Sequence, residues 1–222
     1  MAAVRRSVLD FPRPPRAIVE ELARFGTSGI CDGMDVPNAM QHGLKPLSAG
    51  WRIAGPALTV SLPVGDSLMT SLAIEIAREG DVIVVDAKGV AENAVWGDMK
   101  SFAAHSKGIA GIVIDGAVRD PQGIREIGLP VFAKYVTCRA SSKNNPGLIN
   151  VPIACAGAAV NPGDIVVGDE GGVVVIPPSL VEDVLARTRA KLAAEERAKR
   201  DILEGRVLSP GIRKELENLG WL

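Results

Sequence analysis

Asp98 and the pair Arg119-Asp120 are the residues whose types and spacing best suit chemistry on a small anionic substrate. Gly97 precedes Asp98, and Met99 and Lys100 follow it. A glycine at a helix start lets a ligand approach backbone N–H groups that carry a partial positive charge. An arginine grips a carboxylate through two parallel hydrogen bonds. A carboxylate such as Asp120 coordinates a hard cation through oxygen. Together these groups suit a small keto acid and a divalent metal. Each half also has a plainer reading. Asp98 is of a type favoured as a helix N-cap, and Asp120 before Pro121 is a good helix start.

For the two halves to meet, the chain between them must form one helix and one strand. Met99, Phe102 and Ala103 give an apolar helical face, with Gly108 ending the helix. Residues 109–114 are an apolar run of strand length, and 81–86 and 131–136 read the same way. Residues 57–62 form a further strand, and Gly65-Asp66 is a turn that caps a helix running to Gly80. Residues 87–95 read as a crossover loop, and 121–127 as a short helix stopped by Gly128. This rhythm predicts a mostly parallel α/β core with ligands gathered outside the carboxyl ends of its strands.

Pro15 opens an N-terminal helix with Ile18, Val19, Leu22 and Phe25 at helical spacing, so 1–25 reads as a helical lead-in. Residues 27–35 are a second short helix or a loop facing the site. After a polar loop at 141–147, short β segments at 151–156, 164–168 and 173–176 alternate with Asn-Pro-Gly-Asp and Asp-Glu-Gly-Gly turns. A long helix runs from 179 to about 203, inside a C-terminal helical extension spanning 179–222. Its charged second half suits either packing on a neighbouring subunit or solvation. Nothing in the middle resembles a linker, so 1–222 is expected to be a single domain.

The chain has 222 residues, of which 47% are hydrophobic but only 4% aromatic, so Ala, Val, Ile and Leu must build the core. A formal net charge of -1 offers no footprint for nucleic acid or an anionic membrane. Cys31, Cys138 and Cys155 are widely spaced and odd in number, which predicts reduced, mostly buried thiols in a cytoplasmic protein. With only His42 and His105, a multi-histidine metal site within one chain is nearly excluded. His105 is expected to be packed rather than catalytic. The basic stretch 1–16 lacks the apolar run of a signal peptide, and no segment reaches the length of a membrane span. Lys143 sits in the polar loop, where it either reaches an anion or is solvated. Lys88 and Lys134 carry no mark of a Schiff-base lysine.

At this point the sequence resembles the family of regulator of ribonuclease activity A and of 4-hydroxy-4-methyl-2-oxoglutarate/4-carboxy-4-hydroxy-2-oxoadipate aldolase. The resemblance is carried by Pro63-Val64-Gly65-Asp66, by Glu79-Gly80-Asp81 and the strand after it, and by Trp96-Gly97-Asp98. It continues through the run from Gly111 to Asp120 and through Asn161-Pro162-Gly163-Asp164 and the strand that follows. The spacing from Asp98 to Arg119-Asp120 is its most specific element. The resemblance implies an α/β/β sandwich like the phosphohistidine swivelling domain, with a long C-terminal helix, assembled as homotrimers or homohexamers with sites between subunits. It implies a class II pyruvate aldolase using Mg²⁺ or Mn²⁺ and no Schiff base, with oxaloacetate decarboxylation as a second activity. In that scheme Asp120 is the direct metal ligand and Asp98 holds a water on the metal. Arg119 and the amides near Met99 and Lys100 bind the pyruvyl group, Lys143 lies near the site, and Glu195 or Glu196 enters from a neighbour's terminal helix.

One position departs from that pattern. Family aldolases carry an acidic residue three positions after the metal aspartate, where this chain has Gly123; Glu126 lies one helical turn further on. The resemblance also leaves open a non-catalytic regulator that binds ribonuclease E, or a lyase or hydratase acting on another keto acid. Some family members carry a menaquinone methyltransferase label, but no glycine-rich nucleotide loop supports that here.

Overall fold

The computed structural model describes residues 9–222; residues 1–8, the start of the basic lead-in, lie outside the described residues. Pro15 stands just before α1 (Arg16–Arg24), as its fixed φ favours. Gly26 then separates α1 from the short α2 (Thr27–Asp32). The two-residue β1 (Lys45–Pro46) leads to β2 (Ile53–Ser61). The alternation expected from the apolar runs follows: α3 (Leu68–Ile76), β3 (Val82–Trp96), α4 (Asp98–Ser106), β4 (Gly111–Val118), α5 (Pro121–Ile127) and β5 (Val131–Val136). Next come β6 (Leu148–Ile149), the hairpin β7 (Ile153–Cys155) and β8 (Ala158–Val160), and the hairpin β9 (Ile165–Asp169) and β10 (Gly172–Ile176). Helices α6 (Val181–Leu203) and α7 (Pro210–Asn218) end the chain.

Strands β2, β3, β4 and β5 pair in parallel, in that order. The antiparallel β9 and β10 extend the sheet beyond β2, and β1 closes its other end against β5. Lys45 of β1 donates to the carbonyls of Glu170 and Gly171 in the β9–β10 turn, so the two ends of the sheet approach one another. The result is a mixed α/β fold around a nearly closed, barrel-like sheet.

Alternation along each strand separates the layers. Ile83, Val85, Ile112 and Ile114 point into one cluster with Met69 and Ala73 of α3, Ala104 of α4 and Ile124 of α5. Val82, Val84, Val113 and Phe132 point the other way, onto Val166, Val173 and Val175 of the β9–β10 hairpin and onto β7 and β8. The outer face of β9 and β10 packs on Leu22, Ile30, Val181, Val184 and Leu185 of α1, α2 and α6. Strands β3 and β4 are therefore buried on both faces, which is why they read as unbroken apolar runs.

Four expectations need correction. Residues 87–95 are not a crossover loop but the second half of β3, which shifts register three times against β4. Lys88 and Gly89, at φ 62° and 67°, let the chain step out of the ladder and return. Helix α4 buries Ser101 and Ala104, not the predicted face: Met99 and Phe102 are exposed. Its phase is set by Trp96, whose buried indole donates to Ser101 Oγ at 2.8 Å. His105 is exposed in the last turn of α4 rather than packed. Segment 27–35 contains the second short helix, α2, and is not a loop facing the site; Asp32 and Asp35 pair with Lys191 and Arg187 of α6.

The cysteines are all free: Cys155 is buried and Cys31 half-buried, but Cys138 is exposed. Among the described residues no helix is long and apolar enough to cross a membrane.

Candidate active site

A cleft of about 240 Å³ opens beside the start of α4. Gly97, Asp98, Met99, Lys100, Arg119 and Lys143 all line it, together with Ser67, the end of β3 and residues 140–141. Every candidate on α4 and at the end of β4 therefore falls at one place, except Asp120, which is not among the lining residues.

The late register shifts of β3 produce this convergence. They bring Trp96 opposite Val118, and the Arg119 amide then donates to the Trp96 carbonyl at 3.0 Å. Gly97 follows in extended conformation and fits against the arginine. A β-carbon at 97 would lie 3.2 Å from Arg119 Cγ and 3.2 Å from Asp120 Oδ2. Arg119 Nε and Asp120 Oδ2 are 3.3 Å apart, both side chains half-exposed.

Asp120 occupies the N-cap position of α5 in the left-handed region, φ 53° and ψ 48°, yet its side chain makes no capping hydrogen bond. The carboxylate instead lies beside Arg119, and a non-glycine residue held in this conformation is uncommon. Asp98 is the first residue of α4, not its cap; Gly97 has that position. Asp98 Oδ1 accepts from the Met99 amide at 2.7 Å. Of the two amides expected to face substrate, Met99 is thus already engaged, while Lys100 N–H has no acceptor among the described residues. The other oxygen, Asp98 Oδ2, points toward α5, where a β-carbon on Gly123 would stand 3.3 Å away.

Lys143 reaches the cleft because its loop is tied down. Asp66 is buried, and its Oδ2 accepts from Ser142 Oγ at 2.5 Å, Asn144 N at 2.8 Å and Asn145 N at 3.1 Å, while Oδ1 accepts from Leu68 N at 2.8 Å. Burial pushes the Asp66 carboxyl up, but these hydrogen bonds outweigh it and hold its pKa well below the usual carboxylate range. The turn-cap reading of Asp66 captured the Leu68 bond and missed the longer-range clamp.

Sequence reading named Lys100 for its amide and did not single out its side chain. Burial lowers its pKa to about 8, with Lys143 and Arg119 adding like-charge repulsion and Asp66 opposing them. Lys88 and Lys134, by contrast, are neutralised locally. Lys88 pairs with Asp86, and Lys134 lies 2.6 Å from Asp115 and donates to Gln41.

Asp120 and Asp98 are the acids available for a cation here. Among the described residues, no group of three His, Cys, Asp or Glu side chains gathers closely enough to hold one unaided. Two carboxylates nonetheless fit a hard divalent ion such as Mg²⁺, which keeps several of its waters. Glu195 and Glu196 do not line the cleft of their own chain; both ride on the outer part of α6, where Lys199 takes up Glu196 at 2.5 Å.

A family model described as RraA-like, Aldolase/RraA, matches residues 27–175, a stretch that includes every cleft residue named above. The chain belongs to this family. It is 40% identical over 184 residues to a Halalkalibacterium halodurans protein named "Putative 4-hydroxy-4-methyl-2-oxoglutarate aldolase", covering 83% of this chain and 88% of that one. Among solved structures it is similar to RraAS2 of Streptomyces coelicolor, titled an unusual member of the RNase ES inhibitor RraA family. That match has a TM-score of 0.79 and 31% identity, over 86% of this chain and 99% of the other. It is also similar to the RNA-processing inhibitor RraA from Thermus thermophilis, with a TM-score of 0.65 and 29% identity, over 69% of this chain and 93% of the other.

Proposed function

We propose that the protein is a divalent-metal-dependent aldolase that cleaves 4-hydroxy-4-methyl-2-oxoglutarate-type substrates to pyruvate and also decarboxylates oxaloacetate. The observation that carries this reading is the meeting of Arg119 and Asp120 against the Gly97 backbone, beside a cleft that opens at a helix N-terminus. The names of relatives such as the Halalkalibacterium protein support it.

The chain's own groups divide the work. Arg119 holds the carboxylate of the keto acid through its guanidinium, and the Lys100 amide adds a first-turn donor. Asp120 would hold a Mg²⁺ or Mn²⁺ ion directly and Asp98 would hold it through water; when bound, the ion supplies Lewis-acid stabilisation of negative charge. Asp98 receives, by way of a water, the proton that leaves the substrate C4 hydroxyl. Breaking the C3–C4 bond then moves negative charge toward the C2 oxygen, beside Arg119, whose fixed positive charge stabilises it. Lys143, on its clamped loop, faces the remaining carboxylate.

The assembly proposed with this chemistry is a homotrimer or homohexamer in which Glu195 of one chain completes the cleft of another. Glu195 makes no salt bridge among the described residues, unlike Glu196. Exposed Met99, Phe102, Leu68 and Leu72 beside the cleft give a subunit contact an apolar surface. Size-exclusion chromatography with light scattering tests the assembly, and Glu195→Gln tests the shared residue.

The test of the activity is pyruvate release from a panel of hydroxy-keto acids and oxaloacetate, with and without Mn²⁺, for the wild type and Arg119→Ala. A second reading, a regulator that binds ribonuclease E, is favoured by the likeness to RraAS2. Pull-down with the ribonuclease separates the two: Asp120→Ala abolishes lyase activity and leaves protein binding intact.

A further inference from the structure

The cleft contains a positive charge that no acid among the described residues pairs with. Lys100 Nζ donates to Thr70 Oγ1 at 2.6 Å, to the Val95 carbonyl at 3.0 Å and to the Ser67 carbonyl at 3.3 Å. All three acceptors are neutral, and Ser67 and Val95 themselves line the cleft. Among the described residues Lys100 forms no salt bridge. The acid that offsets its charge, Asp66, already accepts hydrogen bonds from Leu68, Ser142, Asn144 and Asn145.

Its surroundings are positive as well. Lys100 lies in the first turn of α4, and two of its acceptors, Ser67 and Thr70, belong to the start of α3. Both helix ends carry the positive pole of the dipole. Lys143 and Arg119 stand close enough to repel its charge. An ammonium largely withdrawn from water in such a field is costly unless an anion joins it. Lys134, the other lysine held this far from solvent, has Asp115 at 2.6 Å.

We propose that the Lys100 side chain selects ligand charge in this cleft: with Arg119 and Lys143 it favours keto acids bearing two carboxylates over those bearing one. The proposal deepens, and rests on, the keto-acid reading above. Arg119 takes the carboxylate next to the keto group, and the second carboxylate meets Lys143 with the Lys100 charge beneath it. Lys100 is a specificity-determining group, since nothing in its geometry requires it to exchange a proton.

The experiment is calorimetric titration of the full chain with pyruvate and with 2-oxoglutarate in the presence of Mg²⁺. It compares the wild type, Lys100→Met and Lys100→Gln, each checked by thermal unfolding. The glutamine keeps an N–H donor, one atom short of the ammonium, and removes the charge; the methionine removes both. The wild type should bind 2-oxoglutarate at least about tenfold more tightly than pyruvate. Each variant should lose about tenfold for 2-oxoglutarate and less than about threefold for pyruvate. Variants that retain the wild-type ratio, or weaken both ligands equally, overturn the role of Lys100 and leave the keto-acid reading standing. A wild type that binds both ligands alike overturns the role even if neither variant folds. A wild type that binds neither overturns both.

Discussion

The Asp98 carboxylate packs directly against the backbone of Gly123: a β-carbon at 123 would sit 3.0 Å from Asp98 Cβ and 3.3 Å from its Oδ2. The space a side chain at 123 would enter is thus taken by the acid of the neighbouring helix. Gly123→Ala should push Asp98 out of this seat. We expect kcat for pyruvate release to fall about tenfold, with the unfolding temperature changed by no more than about 2 °C. An unchanged kcat would show that catalysis does not depend on Asp98 being seated against Gly123.

Asp66 and Ser142 link the start of α3 to the loop that presents Lys143. Asp66→Ala removes the buried carboxylate that four donors of this clamp share and should destabilise the fold by about 1–3 kcal/mol. Because the folded pKa of Asp66 is depressed, its stabilising contribution is complete above the ordinary carboxylate value of about 3.9. It is lost as pH falls through the lower folded value. Urea titrations between about pH 3 and pH 6 should show the wild-type advantage over Asp66→Ala level at the top of that range and starting to shrink at its foot.

Trp96 and Ser101 hold the start of α4 in phase through a buried hydrogen bond of 2.8 Å. Ser101→Ala strands the indole N–H and should cost about 1–3 kcal/mol in denaturant unfolding. Because the same bond sets where Gly97 and Asp98 lie, KM for the keto acid should rise as well.

Lys100 should act against stability while it serves binding. An ammonium held without an acid is a site where an apolar side chain of similar length does better. At pH 7 and without ligand, Lys100→Met should unfold at a denaturant concentration corresponding to about 1 kcal/mol more stability than the wild type. A variant less stable than the wild type would show that the hydrogen bonds to Thr70 and Val95 outweigh the charge.

The parallel core could be read from the chain because β4 and the first halves of β3 and β5 are buried on both faces, which leaves apolar runs of strand length. The second half of β3 could not. Lys88 and Gly89 leave the ladder there, and the polar residues that follow resemble a loop. The α4 face was misread because Met99 and Phe102 are apolar by type but lie on the exposed side, while Ser101 is buried on Trp96. At the cleft, Arg119 and the two aspartates stood out through their spacing. The Lys100 side chain did not, although its amide was named, since a lysine in a first helical turn looks like any solvated charge until Thr70, Val95 and Ser67 are seen around it. The hold of Asp66 on residues 142–145 joins segments far apart in sequence and leaves no local trace.

The most direct test of the account is the rate of pyruvate formation from 4-hydroxy-4-methyl-2-oxoglutarate with Mg²⁺, measured for the wild type, Arg119→Ala and Asp120→Ala. We predict turnover by the wild type and a loss of at least about 100-fold in each variant with the fold intact. A wild type that binds the metal and releases no pyruvate from this substrate or from oxaloacetate, or an Asp120→Ala variant at full rate, would contradict it.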